Sequence, residues 1–133
     1  MQNGIMVLGR VLLGQMFLMA GVNKIGAFAG TQAYMESMGV PGMMLIPVIV
    51  LEIAGGLAVI LGWQTRWSTL ALAGFTVIAA MVFHHDFANQ MQSILFMKNM
   101  AITGGLLMLS VTGAGAWSLD SRNAVHRDML AGA

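Results

Sequence analysis

The sequence has no cysteine and very little charge. Of its 133 residues, 58% are hydrophobic and 8% are charged. Without cysteine the chain has no disulfide framework, no thiol relay and no cysteine-ligated zinc or iron–sulfur centre, so any redox role depends on a bound cofactor. A soluble domain carries about 25% charged residues. This chain has too few to cover a water-facing surface, which indicates an integral membrane protein.

Clusters of basic residues are also missing. The formal net charge is +1, and no run of lysine and arginine is interleaved with aromatic residues. A nucleic-acid-binding domain shows such a patch as its electrostatic footprint. We therefore expect no nucleic-acid partner, and the lipid bilayer is the expected environment.

Long apolar segments are present instead. A transmembrane helix takes roughly 17–25 predominantly apolar residues, and backbone in lipid must form its hydrogen bonds internally. The pattern predicts an all-α fold, an integral membrane bundle of four transmembrane helices over 1–117 with a short tail over 118–133. The approximate helix bounds are 5–22, 43–62, 67–83 and 94–113.

The distribution of arginine predicts the orientation. Cytoplasmic loops of membrane proteins carry an excess of lysine and arginine. If both termini are cytoplasmic, four arginines lie inside and two lysines lie outside. We also expect the first apolar segment to be an uncleaved transmembrane helix, because no basic residue precedes it and a charged residue interrupts it. The residues concerned are Arg10, Arg66, Arg122 and Arg127 inside, and Lys24 and Lys98 outside.

One carboxylate, Glu52, lies near the middle of the second apolar segment. A charged side chain at that depth costs about 2.5–3.5 kcal/mol on insertion scales, so a partner or a function is expected. Arg10 shares a stripe of the first helix with Gly14 and Gly21, and its estimated depth differs from that of Glu52 by about 7.5 Å. We predict a buried Arg10–Glu52 pair, which is either a latch that fixes helix register or a ligand or proton site.

A second polar group is expected near the outer surface. His84 ends the third segment, and Lys98 and Asn99 lie near the start of the fourth. Lys98 is either an interfacial anchor that reaches outward or part of a pocket with His84 and Asn99. Lys24, at the outer end of the first helix, either joins this pocket or marks the interface.

The long connection after the first helix has its own pattern. A short amphipathic or re-entrant helix is expected over 31–36, before a Gly- and Pro-rich breaker at 39–42. Tyr34 and Glu36 are candidates for a lid over the bundle mouth. The 14 methionines are spread along the chain, which favours gap filling over a copper site, and no metal site is predicted.

Short motifs along nearly the whole chain form a recognisable set. They are Gly9-Arg10, Leu13-Gly14, Phe17, Ala20-Gly21, Lys24, Tyr34-Met35, Gly39-Val40-Pro41, Glu52, Gly55-Gly56, Leu61-Gly62, Arg66, His84, Phe96-Met97-Lys98-Asn99, Gly104-Gly105-Leu106-Leu107 and Ser118-Leu119-Asp120. In these positions the chain resembles the DoxX family of small four-helix membrane proteins. The resemblance implies a bacterial inner-membrane component of a quinone-linked oxidoreductase system that takes electrons from a redox partner protein. It carries over Glu52 and His84 as catalytic residues, and Arg10, Glu52, His84, Lys98 and Asn99 as quinone-binding residues.

Two other functions remain open. The chain is alternatively a non-catalytic membrane scaffold or assembly subunit, in which the ionisable residues are internal latches. It is alternatively a small transporter, which would need a homo-oligomer because four helices are few for alternating access.

Overall fold

A computed structural model describes all 133 residues. It contains six α-helices, one short 3₁₀ helix and no strand. Four of the helical segments are long and apolar enough to cross a membrane, so the predicted all-α, four-spanning architecture is confirmed. The elements are α1 Gln2–Gly26, α2 Phe28–Ser37, the 3₁₀ helix Gly42–Met44, α3 Leu45–Leu61, α4 Thr65–Phe83, α5 Gln90–Thr112 and α6 Leu119–Ala131.

Two of the spanning helices extend about one turn beyond their predicted bounds. Helix α1 continues to Gly26, one turn beyond the predicted end at 22, and α5 begins at Gln90 rather than 94. The added turns contain polar residues, which hydropathy excludes from a membrane span but which extend a helix readily. The N-terminus of α5 is capped by Asn89, whose side-chain oxygen accepts hydrogen bonds from the amides of Met91 and Gln92 at 2.9 and 3.3 Å.

The bundle consists of two tightly packed pairs, α1 with α3 and α4 with α5, which are joined through α3 and α4. Glycines let the first pair approach closely. A Cβ built on Gly14 would lie 2.6 Å from the carbonyl oxygen of Gly56, and one on Gly56 would lie 2.7 Å from that of Gly14. Small residues serve this purpose in membrane helices. The central apolar cluster comprises Phe17, Val59, Leu72, Ala73, Leu106 and Leu109.

At one end of the bundle, the first turn of α6 is fastened to the turn between α3 and α4. Asp120 accepts hydrogen bonds from the amides of Gln64 and Thr65 at 2.7 and 2.9 Å, which satisfies donors left free at the start of α4. Its own amide donates to the carbonyl of Gly62 at 2.9 Å. All three tryptophans are exposed at this end, which we call the tryptophan end; they are Trp63, Trp67 and Trp117.

Helix α2 covers the opposite end of the bundle, which we call the cavity end. Gly39, with φ of 81°, reverses the chain after α2. Met35 of α2 is buried in a small cluster with Leu45 and Ile49 of α3. The short helix expected over 31–36 is therefore present, as the central part of α2.

Candidate functional site

The buried carboxylate pairs with a lysine. Glu52 is 3% exposed, and Lys24 donates hydrogen bonds to both of its carboxylate oxygens, at 2.8 and 2.9 Å. Bonds between charged groups are stronger than neutral ones, and this geometry compensates the carboxylate for loss of water. The side chain of Lys24 is 29% exposed, so the ammonium forms the open side of the pair.

The predicted Arg10–Glu52 pair is wrong. Arg10 is buried at the tryptophan end, where Nη2 donates to the carbonyl oxygen of Trp117 at 2.5 Å. Its Nε and Nη1 have no hydrogen-bond partner. Arg10 therefore helps to attach the segment before α6 to the bundle and is distant from Glu52.

Helix register explains the error. A Cβ built on Gly21 would lie 3.2 Å from the Cβ of Glu52, so Gly21 is the α1 residue level with the carboxylate. Arg10 precedes it by 11 residues, about 16 Å at 1.5 Å per residue. Lys24 follows Gly21 by three residues on the same helix face. The stripe that contains Arg10 and Gly21 therefore continues to Lys24, and this continuation was the signal for the correct partner.

A cavity of about 330 Å³ lies beside the Lys24–Glu52 pair. Residues from all five of the helices α1 to α5 line it, so it occupies the space between the two helix pairs beneath α2. Its wall is largely apolar and includes four aromatic rings. The lining residues are Met16, Phe17, Ala20, Lys24, Thr31, Tyr34, Met35, Val48, Glu52, Phe75, Thr76, Ala79, Phe83, His84 and Asn99.

His84 lies in this wall and carries an unpaired polar atom. The residue follows the last turn of α4, where its amide donates to the carbonyl of Ala80 at 2.9 Å. Its Nδ1 is buried without a hydrogen-bond partner. His85 differs, because it is exposed and its Nδ1 lies 3.0 Å from the carbonyl oxygen of Val82. A buried polar atom without a partner costs free energy, so a hydrogen bond between Nδ1 of His84 and a ligand or a water molecule would be favourable.

The other predicted pocket residues separate into two groups. Asn99 lines the cavity with His84, whereas the adjacent Lys98 is exposed and lies outside it. Successive residues of a helix differ by about 100° in direction, so α5 cannot turn both side chains inward. The structure thus brings together Glu52, His84 and Asn99 of the predicted residues.

Helix α2 supplies the roof of the cavity. Tyr34 lines it and stacks on Phe83 of α4, with ring centroids 5.5 Å apart and planes inclined by 28°. Glu36 does not line it, since its carboxylate lies against Gly42 instead. Tyr34 is therefore placed as a lid residue and Glu36 is not.

Comparison with known sequences agrees with this architecture. The sequence model of the DoxX family matches residues 5–85. This chain belongs to the DoxX family. The match includes Lys24, Glu52 and His84, and therefore most of the cavity wall of this DoxX protein; Asn99 lies beyond it.

Three relatives are similar over most of their length. The DoxX protein is 51% identical to inner membrane protein YqjF of Escherichia coli over 88% of this chain and 89% of the relative. It is 34% identical to inner membrane protein YphA of the same organism, over 89% of each. It is 29% identical to a Bacillus subtilis protein named "Putative oxidoreductase CatD", over 84% of this chain and 81% of the relative. No solved structure matches this chain significantly.

Proposed function

We propose that this DoxX protein is an inner-membrane component of an oxidoreductase system and that its cavity binds the ring of a quinone. The observation that carries the proposal is the cavity itself, whose aromatic and largely apolar wall includes both members of an ion pair and the imidazole of His84. The name of one relative supports a location in the inner membrane, and the name of a more distant relative supports a role in oxidoreduction.

The size and wall of the cavity suit a planar ring. Ligand pockets have volumes of roughly 300–1,000 Å³ and apolar walls with a few polar groups, and this cavity of about 330 Å³ is at the small end. Aromatic side chains pack on flat rings in stacked or edge-to-face arrangements. A ring with small substituents fits this volume. The four aromatic side chains available for such packing are Phe17, Tyr34, Phe75 and Phe83.

The polar atoms suit carbonyl oxygens on such a ring. An ammonium has three donors, and Lys24 uses two on Glu52, which leaves one for a ligand oxygen. His84 offers Nδ1, which donates or accepts according to its tautomer. A bound quinone supplies the two-electron chemistry. Lys24 then holds one oxygen, His84 holds or transfers a proton at another, and Glu52 keeps the ammonium in position.

The electrons come from a partner in this proposal, since the chain carries no cysteine-ligated redox centre. The cavity end of the spanning helices lies at one membrane surface. His84 lies where α4 meets the polar connection to α5. Protons from water reach His84 along this connection, while the apolar wall excludes water from the ring.

The test is the quinone content of protein purified gently from its native membrane, measured by mass spectrometry. We expect near-stoichiometric quinone in the wild type and a loss of at least tenfold in Glu52→Gln and in His84→Ala. Glu52→Gln preserves the size of the side chain and an oxygen for Lys24, so the fold is expected to survive.

Matched control variants are available outside the cavity. His85→Ala and Glu36→Gln change the same residue types outside the cavity, and they should retain quinone at the wild-type level. Quinone at only the background of the surrounding lipid in the wild type would contradict the proposal and favour a non-catalytic membrane subunit.

A further inference from the structure

Helix α6 has an apolar face that nothing in the chain covers. None of its residues is buried, and Val125 and Met129 are 55% and 63% exposed. These two residues are four apart and therefore lie on one side of the helix. Leu119 and Arg122 continue the same side toward the start of α6. We call the side formed by Leu119, Arg122, Val125 and Met129 the Val125 face.

The first turns of α6 put a basic residue on the Val125 face. Helical spacing places Arg122 there and Asp120 on the other side of the helix. Asp120 is also engaged, because its carboxylate accepts bonds from two backbone amides. Arg127 lies away from the Val125 face, whereas Asp128 follows Val125 by three residues and lies at the edge of the face. The face is therefore basic at its start, where Arg122 lies, and not along its whole length.

A groove beside the first turn of α6 indicates the direction of the Val125 face. The groove has a volume of about 430 Å³ and lies between the end of α3 and the first turn of α6. Leu61 of α3 forms one wall, Leu119 and Arg122 of the Val125 face form another, and Trp117 lies at its rim. Since α3 spans the membrane, the Val125 face starts on the side of α6 that looks toward the bilayer.

We infer that α6 is a membrane-surface helix and that the groove at its base seats the head group of an anionic phospholipid. Val125 and Met129 insert between the lipids, as the apolar side of an interfacial helix does. Arg122 binds the phosphate, and the exposed indole of Trp117 lies at the interface where tryptophan is enriched in membrane proteins. The basic, acid-free lining of the groove complements an anionic head group.

Site-directed spin labels test where the Val125 face lies. Because the chain has no cysteine, Val125→Cys and Arg127→Cys can each be labelled at a single position in full-length protein. In nanodiscs that contain phosphatidylglycerol and phosphatidylcholine in equal amounts, we expect the label at 125 to collide mainly with oxygen dissolved in lipid. The label at 127, on the opposite side of the helix, should collide mainly with a water-soluble nickel chelate.

Lipid retention tests the head-group site. Full-length protein in detergent is offered equal amounts of phosphatidylglycerol and phosphatidylcholine, and bound lipid is measured by native mass spectrometry. We expect a preference for phosphatidylglycerol that falls roughly fivefold in Arg122→Gln, the effect of removing one arginine from an anionic surface. Arg127→Gln, on the opposite side of the exposed helix, should keep the preference.

Either of two results would overturn the inference. If the label at 125 is as accessible to the nickel chelate as the label at 127, α6 stands away from the membrane and its apolar face suits a protein partner. If Arg122→Gln and Arg127→Gln retain phosphatidylglycerol equally, the groove does not select the head group. Quinone retention is a separate readout, so failure of this inference leaves the proposal for the cavity intact.

Discussion

At the scale of single residues, the pair formed by Lys24 and Glu52 is asymmetric. The carboxylate is almost completely enclosed, whereas about a third of the lysine side chain reaches open space. A lysine that loses its partner can extend along its flexible stem toward a polar surface. Glu52 has a shorter side chain and no such route. Loss of Lys24 and loss of Glu52 are therefore expected to lower the stability of the protein by different amounts.

Removal of the lysine should therefore be the more damaging change. We expect Lys24→Met to lower the free energy of unfolding by about 3 kcal/mol, since breaking a buried pair leaves an uncompensated charge, and Glu52→Gln to lower it by less. Thermal unfolding in detergent, followed by circular dichroism, measures both. Lys98→Met is the matched control, because that lysine is exposed and unpaired within the protein; equal melting temperatures of Lys24→Met and Lys98→Met would exclude a stabilising pair.

At the scale of helices, contact between α1 and α3 sets the register on which the cavity depends. The backbones meet at Gly14 and Gly56, where a side chain would collide with backbone atoms. The same register puts Gly21 beside Glu52 and makes Lys24 its partner. Gly14, Gly21 and Gly56 therefore serve internal packing, whereas Gly74 on α4 and Gly104 on α5 face open space.

Two glycine substitutions should have opposite effects on stability. Gly56→Ala is expected to cost about 1–3 kcal/mol because the added methyl group overpacks the contact, its Cβ lying 2.7 Å from the amide nitrogen of Leu18. Gly74→Ala should be neutral or stabilising by up to about 1 kcal/mol, since alanine favours the helix and nothing lies within 4 Å of its Cβ. The measurement is again thermal unfolding in detergent, and a Gly56→Ala protein as stable as Gly74→Ala would show that the two helices are not in close contact.

At the scale of the whole molecule, the two ends of the bundle differ in chemistry. The tryptophan end carries the arginines, the exposed indoles and α6, whereas the cavity end carries Lys24, His84 and the roof formed by α2. An even number of spanning helices brings the start of α1 and the start of α6 to the same end, as the bond between Arg10 and the carbonyl of Trp117 demonstrates. The excess of arginine there leads us to propose that this end is cytoplasmic.

Accessibility of single cysteines in intact cells tests this orientation. In the cysteine-free background, we expect a membrane-impermeant maleimide to label Ala88→Cys, in the exposed connection between α4 and α5. Ala133→Cys at the other end should react only after the cells are opened. Labelling of Ala133→Cys in intact cells, with Ala88→Cys protected, would mean that the orientation is reversed.

The sequence by itself determined the class of protein, the number of spanning helices and the need for a partner at Glu52, because these follow from hydropathy and from the cost of a charge in lipid. It also indicated five residues of the cavity wall as candidates, namely Lys24, Tyr34, Glu52, His84 and Asn99. Only the tertiary structure decided that Lys24 rather than Arg10 meets Glu52 and that Lys98 faces away from the cavity. Those outcomes depend on the shift of one helix along another and on its rotation. A close contact such as that between Gly14 and Gly56 determines both the shift and the rotation, and the hydropathy of the sequence does not reveal that contact.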